Sequence, residues 1–197
     1  MELFKVGILL FNEVEVLDFA GPFEVFSIAA KPGDQHKLFD VKTVAENKSV
    51  IKARNGLQVV PDLSFADDQA FDILIIPGGY GAEHIEIHNE RLIRWIKDQA
   101  AKVDILASVC TGAFLLGQAG LLNGKSATTH WMDLEKFAMD FPLVQVQKDV
   151  KFVDQGKIIT AGGISAGINM AFHIITRLVG KDVSRYTARR MEYDLEI

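Results

Sequence analysis

Solid apolar runs and helical apolar stripes take turns along this chain. Lys5 to Phe11 reads as a continuous apolar strand, and Val16 to Ala30 follows as a largely buried helix carrying Leu17, Phe19, Phe23, Phe26 and Ile28. Leu38 to Val44 alternates apolar with polar residues, which suits a half-buried strand. Val50 to Val60 folds back at Asn55-Gly56, a dipeptide favouring the positive φ angles of a tight hairpin turn. Phe71 to Ile76 is another solid strand, closed by Pro77-Gly78-Gly79. From Asn89 to Lys102, Leu92, Ile93, Ile96 and Ala100 recur at helical spacing opposite Glu90, Arg91, Arg94 and Lys97. Val103 to Val109 is a strand running straight into Cys110-Thr111-Gly112, and Ala113 to Gly120 reads as buried helix.

The second half repeats the alternation. Ser126 to Thr129 lead into a helix from Trp131 to Met139. Val150 to Val153 and Lys157 to Ala161 pair across Asp154-Gln155-Gly156. Gly162-Gly163 opens a long helix to Val179, and Asp182 caps a final one. Strands that are apolar throughout must be covered on both faces. The pattern therefore predicts an α/β three-layer sandwich: a mainly parallel, flavodoxin-like sheet with helices on both faces and small antiparallel hairpins at its margins. No linker, repeat or low-complexity stretch interrupts it, so residues 1–197 read as one domain.

Composition narrows the partners. The net charge of −5 supplies no basic field for a phosphate backbone, so no nucleic acid is expected. The apolar run from Val6 to Phe11 is stopped by Asn12 and Glu13, too soon for a signal core or a membrane span. Cys110 is the only cysteine, so no internal disulfide can form and a reducing cytoplasm is the expected location.

In such a sheet, ligands gather beyond the carboxyl ends of the parallel strands. Strands give way abruptly to small or polar residues after Phe11, at Gly78-Gly79 and at Cys110-Thr111-Gly112. Cys110 thus sits where a strand becomes a helix, the position of a nucleophile elbow. A helix N-terminus there favours the thiolate over the thiol. The competing reading of a lone cysteine is a small buried hydrophobe.

Four segments occur in order: Leu17-Asp18-Phe19-Ala20-Gly21-Pro22-Phe23-Glu24-Val25-Phe26, Ile76-Pro77-Gly78-Gly79, Ala107-Ser108-Val109-Cys110-Thr111-Gly112-Ala113 and Ala127-Thr128-Thr129-His130-Trp131. Together they resemble the ThiJ/PfpI superfamily, related to class I glutamine amidotransferases, over nearly the whole chain. The Asp18 segment and the Cys-Thr-Gly elbow resemble its isonitrile hydratase branch, as does Met191-Glu192-Tyr193-Asp194. The resemblance implies that Cys110 is the nucleophile and that Asp18 touches its sulfur, managing a proton or a water. An aspartate there is also a favoured helix N-cap. Backbone N–H groups of Gly79 and Thr111 would form an anion hole. The Thr111 hydroxyl would orient substrate or water, or simply occupy a first helical turn. His130 is either a supporting catalytic group or a satisfied structural histidine.

Other signals carry less. Ala119 to Ser126 resembles a phosphate-binding loop but closes a helix instead of opening one, so it reads as a connecting turn. Gly162 to Gly167 lacks the dinucleotide fingerprint and reads as the start of a helix packed near the active edge. His84 and His88 lack the glutamate and third ligand of a zinc site, so no metal is expected; they read as solvated residues that can still line the entrance. His173 reads as packed, and Arg185, Arg189 and Arg190 as a solvated or subunit-contact face.

The function implied by the resemblance is cofactor-free hydration of an isocyanide to an N-substituted formamide, through a thioimidate on Cys110. The substrate is then a small electrophile, and the resemblance implies a homodimer. Two alternatives stand beside it. One is a glyoxalase- or deglycase-like enzyme acting on carbonyls. The other is a ligand- or oxidation-sensing domain such as transcription activators of this branch carry. Those activators add a C-terminal DNA-binding helix pair, for which a chain stopping at Ile197 leaves no room.

Overall fold

The computed structural model describes residues 3–34 and 36–195. Strands β1 (Phe4–Leu9), β2 (Phe39–Ala45), β5 (Leu63–Ser64), β6 (Ile73–Ile76), β7 (Ile105–Val109), β10 (Phe152–Asp154) and β11 (Ile158–Ala161) form the main sheet, in the order β10-β11-β7-β6-β1-β2-β5. All neighbours run parallel except β10, which is antiparallel to β11 at the edge. The central strands β1, β6 and β7 are the solid apolar runs, buried on both faces as such strands must be.

Helices α1 (Val16–Ser27), α6 (Ala166–Val179) and α7 (Lys181–Arg190) pack together as one layer. Helices α2 (Tyr80–His84), α3 (Glu90–Lys102) and α4 (Gly112–Gln118) form the other. Helix α5 (Leu134–Asp140) joins the α4 side, where Phe137 meets Phe114 at 5.0 Å between ring centres. A three-layer α/β sandwich with a mainly parallel sheet results. No helix among the described residues is long and apolar enough to cross a membrane.

Register aligns the carboxyl ends: Leu9 pairs with Val44, Ile76 with Ser108 and Ala161 with Val109. The loops leaving β1, β6, β7 and β11 therefore meet at one edge. The Glu15 N–H donates to Gly78 at 2.9 Å, the Gly81 N–H to Glu13 at 3.1 Å, and the Cys110 N–H to both Ala161 (3.1 Å) and Gly162 (3.0 Å).

Three expectations need correction. The Asn55-Gly56 turn has its positive φ angles (62° and 89°), but β3 (Ile51–Lys52) and β4 (Gln58–Val59) form a separate ribbon instead of a margin of the main sheet. Helix α6 starts at Ala166 and not at Gly162, because Ile164 takes a left-handed φ of 48° that a right-handed helix excludes. Helix α7 is entered through Gly180, with Asp182 inside its first turn and making no cap bond. Directly after Gly79 the chain forms α2, an element that the apolar pattern does not announce.

Candidate functional site

Cys110 leaves β7 with a φ of 56°, left-handed for a residue that carries a Cβ. Its surroundings over-determine that conformation. Besides the two bonds from its N–H, its carbonyl accepts from Thr129 Oγ1 at 2.8 Å. The next residue but one must be glycine, since a Cβ on Gly112 would lie 2.2 Å from the Ile76 carbonyl. This is the elbow that the strand-to-helix switch predicts.

Asp18 reaches the same spot from α1. It is not the N-cap: Glu15 holds that position, and the Asp18 side chain crosses to accept the Gly78 N–H at 3.0 Å through Oδ2. Oδ1 is buried without a hydrogen bond of full geometry. The Glu15 carboxylate repels charge on it, while the Cys110 thiol and the Ile164 N–H act more weakly in its favour. Burial raises its pKa to about 7, against the lowering effect of the Gly78 N–H.

The thiol departs from expectation. Burial first, and the Asp18 carboxylate second, hold Cys110 well above the ordinary thiol range, against the N–H groups of Thr111 and Ile164. Helix α4 has seven residues and Cys110 precedes its first turn. A helix end contributes about 0.3–1 kcal/mol, too little against desolvation of an anion. The resting group is thus a thiol beside a carboxyl that titrates near neutrality, a pair able to pass a proton between its members.

The backbone N–H groups expected to form an anion hole are not both free. The Gly79 N–H is occupied: it donates to Thr111 Oγ1 at 2.9 Å, and that hydroxyl donates back to the Gly79 carbonyl at 3.2 Å. The Thr111 side chain clamps the Gly78-Gly79 turn. The N–H groups directed at the sulfur are those of Thr111 and Ile164. Ile164 escapes sequence reading, because a β-branched residue is the least expected type at positive φ. Thr111→Val keeps the shape and removes the clamp, leaving buried groups of Gly79 unpaired. It is expected to cost about 1–3 kcal/mol in urea or thermal melts, with Thr111→Ser close to wild type.

Cys110, Thr111, Gly79, Ile164 and His130 line one cleft of about 390 Å³. His130 stands on its wall with Nδ1 3.3 Å from Asp133 Oδ2, and packs so tightly on Gly163 that a Cβ there would lie 2.0 Å from its ring. No hydrogen bond joins it to Cys110 among the described residues. The cleft thus gathers Cys110, Thr111, Gly79 and His130 of the residues expected from sequence, with Asp18 fully buried next to Cys110, and adds Glu15, Arg54, Glu83 and Asp133 to the walls. His84 stacks on Tyr80 at 4.1 Å, and His173 is packed at the sheet edge, with Nε2 2.7 Å from Asp154. Among the described residues, no group of three or more candidate ligands is placed to hold a metal.

Comparison with known proteins extends the geometry. The chain is 37% identical over 191 residues to the isonitrile hydratase of Pseudomonas putida, covering 96% of this chain and 78% of that one. It is 27% identical to the HTH-type transcriptional regulator GbdR of Pseudomonas aeruginosa, with 96% of this chain matching 51% of the regulator, so it spans about half that protein's length. A ThiJ/PfpI family crystal structure from Pseudomonas syringae superposes with a TM-score of 0.87 at 25% identity, covering 100% of this chain and 78% of that one. The DJ-1/PfpI family profile matches residues 4–177. With its elbow, its buried aspartate and its sheet order in place, the chain belongs to the DJ-1/PfpI family.

Proposed function

We propose that the protein is a cofactor-independent hydratase that converts isocyanides to N-substituted formamides on Cys110. The observation that carries this reading is the juxtaposition of a buried thiol and a buried carboxyl, with one cleft giving access to the sulfur. The resemblance to isonitrile hydratase supports the substrate class.

Asp18 as carboxylate accepts the thiol proton while Sγ attacks the terminal carbon of R–N≡C. Asp18 then returns that proton to the same carbon, giving the thioimidate R–N=CH–S–Cys. Water adds next: Asp18 takes one of its protons and delivers it to nitrogen as the hydroxyl bonds to carbon. Collapse expels the sulfur, which regains its proton from the new hydroxyl through Asp18, and R–NH–CHO departs. The N–H groups of Thr111 and Ile164 stabilise negative charge on sulfur as it forms and as it leaves. Each step conserves electrons without an outside oxidant or reductant.

Incubation with cyclohexyl isocyanide tests the proposal: N-cyclohexylformamide should accumulate catalytically, many equivalents per protein. The resemblance to GbdR favours a second reading, a ligand-sensing domain. Saturable isocyanide binding with no formamide formed would select that reading and exclude the hydratase.

A further inference from the structure

The walls of the cleft carry more negative than positive charge. Glu15, Glu83 and Asp133 face it, against Arg54 and His130. Arg54 Nε lies 3.8 Å from Glu15, and His130 stands beside Asp133. Glu83 is mostly buried, and among the described residues its one ion-pair contact is the exposed His84 at 3.7 Å. Burial and then Asp133 raise the Glu83 pKa, against the weaker lowering by His84, Lys136 and Arg54, so a cation seated beside it would also favour its ionised form. Lys136 is itself paired with Asp140. Beneath these walls sits Asp18, fully buried, with Oδ1 lacking a hydrogen bond of full geometry.

Such a cleft opposes the charge that its own chemistry creates. Asp18 and, more weakly, Asp133 disfavour the Cys110 thiolate. A positive group on the incoming molecule, seated among Glu15, Glu83 and Asp133, would counter both the wall charge and the developing thiolate. A negative group would add to them. We propose that the site selects electrophiles bearing an ammonium-type positive charge close to the reactive carbon, with Glu83 as the specificity-determining residue. The inference rests on the preceding reading only in taking Cys110 as the group that meets substrate in this cleft.

Two series test it. In the first, Cys110 is modified with methanethiosulfonates carrying a trimethylammonioethyl, a sulfonatoethyl or a methyl group, each rate divided by that for free 2-mercaptoethanol. The cation is expected to exceed the anion by about tenfold or more at low salt, with the difference shrinking in high salt. Glu83→Gln should cut the ratio severalfold, whereas Asp98→Asn on the exposed face of α3 should leave it unchanged. Urea melts of each variant are run alongside, and the rates are taken where the folded form accounts for the reaction, because unfolded chains would give a ratio near one. In the second, 2-(trimethylammonio)ethyl isocyanide is compared with its neutral isostere, 3,3-dimethylbutyl isocyanide, and kcat/KM should favour the cation. A methanethiosulfonate ratio near one, or one that Glu83→Gln does not move, overturns the inference whether or not isocyanides turn over. A large, Glu83-dependent ratio with no isocyanide consumed upholds charge selection and removes the hydratase reading alone.

Discussion

Cys110→Ala is expected to reduce formamide production to the uncatalysed level, a loss of at least about a thousandfold. Nothing else in the cleft can replace the sulfur. Thr111 Oγ1 is engaged at both ends by Gly79, and among the described residues no hydrogen bond places His130 on the reacting centre. The fold should survive. The bonds that hold residue 110 run through its backbone, to Ala161, Gly162 and Thr129, and alanine keeps all of them. Alanine also keeps the strain of a left-handed φ, about 1–2 kcal/mol for a residue with a Cβ. Cys110→Gly sheds that strain, so it should be equally inactive yet melt no lower than the alanine variant. Residual turnover above about one per cent in either variant, measured as formamide by mass spectrometry, would move the nucleophile elsewhere.

The elbow was legible because its cause is local. A strand as apolar as Val103–Val109 can only be central, and Cys-Thr-Gly directly after it has only the carboxyl edge on which to fall. The same logic read β1 and β6 and the helices around them. What escaped was non-local. Strand β5, and β9 (Gln145–Val146) against β8 (Ser126–Ala127), are two-residue pairings held by a neighbour's register, with no periodicity of their own. The Gly79 amide looked available because its glycine is in place, but the hydroxyl that occupies it comes from a residue thirty-two positions later. The raised pKa of Cys110 is hidden for a related reason: the helix end is visible in sequence, whereas burial at the sheet edge and an aspartate on α1 are not. The acidic walls are equally dispersed. Glu15 precedes α1, Glu83 lies in α2, Asp133 precedes α5, and the Asn55-Gly56 turn brings in Arg54.

Asp18→Asn separates the two things this carboxyl does. In catalysis the ionised form must take the thiol proton, so wild-type turnover is expected to rise with pH through about 7. Asparagine can still accept the Gly78 N–H but cannot relay a proton. Turnover should fall by roughly 10²–10⁴, and the inflection near neutrality should vanish with it. In stability the sign is opposite. Unfolding returns Asp18 from about 7 to its ordinary value of 3.8, so the folded protein holds the proton more tightly than the unfolded chain. That contribution is complete below about 3.8 and is lost as pH rises through about 7, amounting to no more than about 4 kcal/mol. Wild type should therefore lose stability between about pH 5 and pH 8.5 relative to Asp18→Asn, in paired urea melts at each pH. The alkaline arm is the decisive one: there the wild-type enzyme is most active and least stabilised at this residue. A variant gaining stability over wild type there while losing turnover would identify Asp18 as a group held for its proton rather than for packing. Parallel melting curves for the two proteins across that range, with a flat wild-type rate, would reduce Asp18 to a strut for the Gly78 turn.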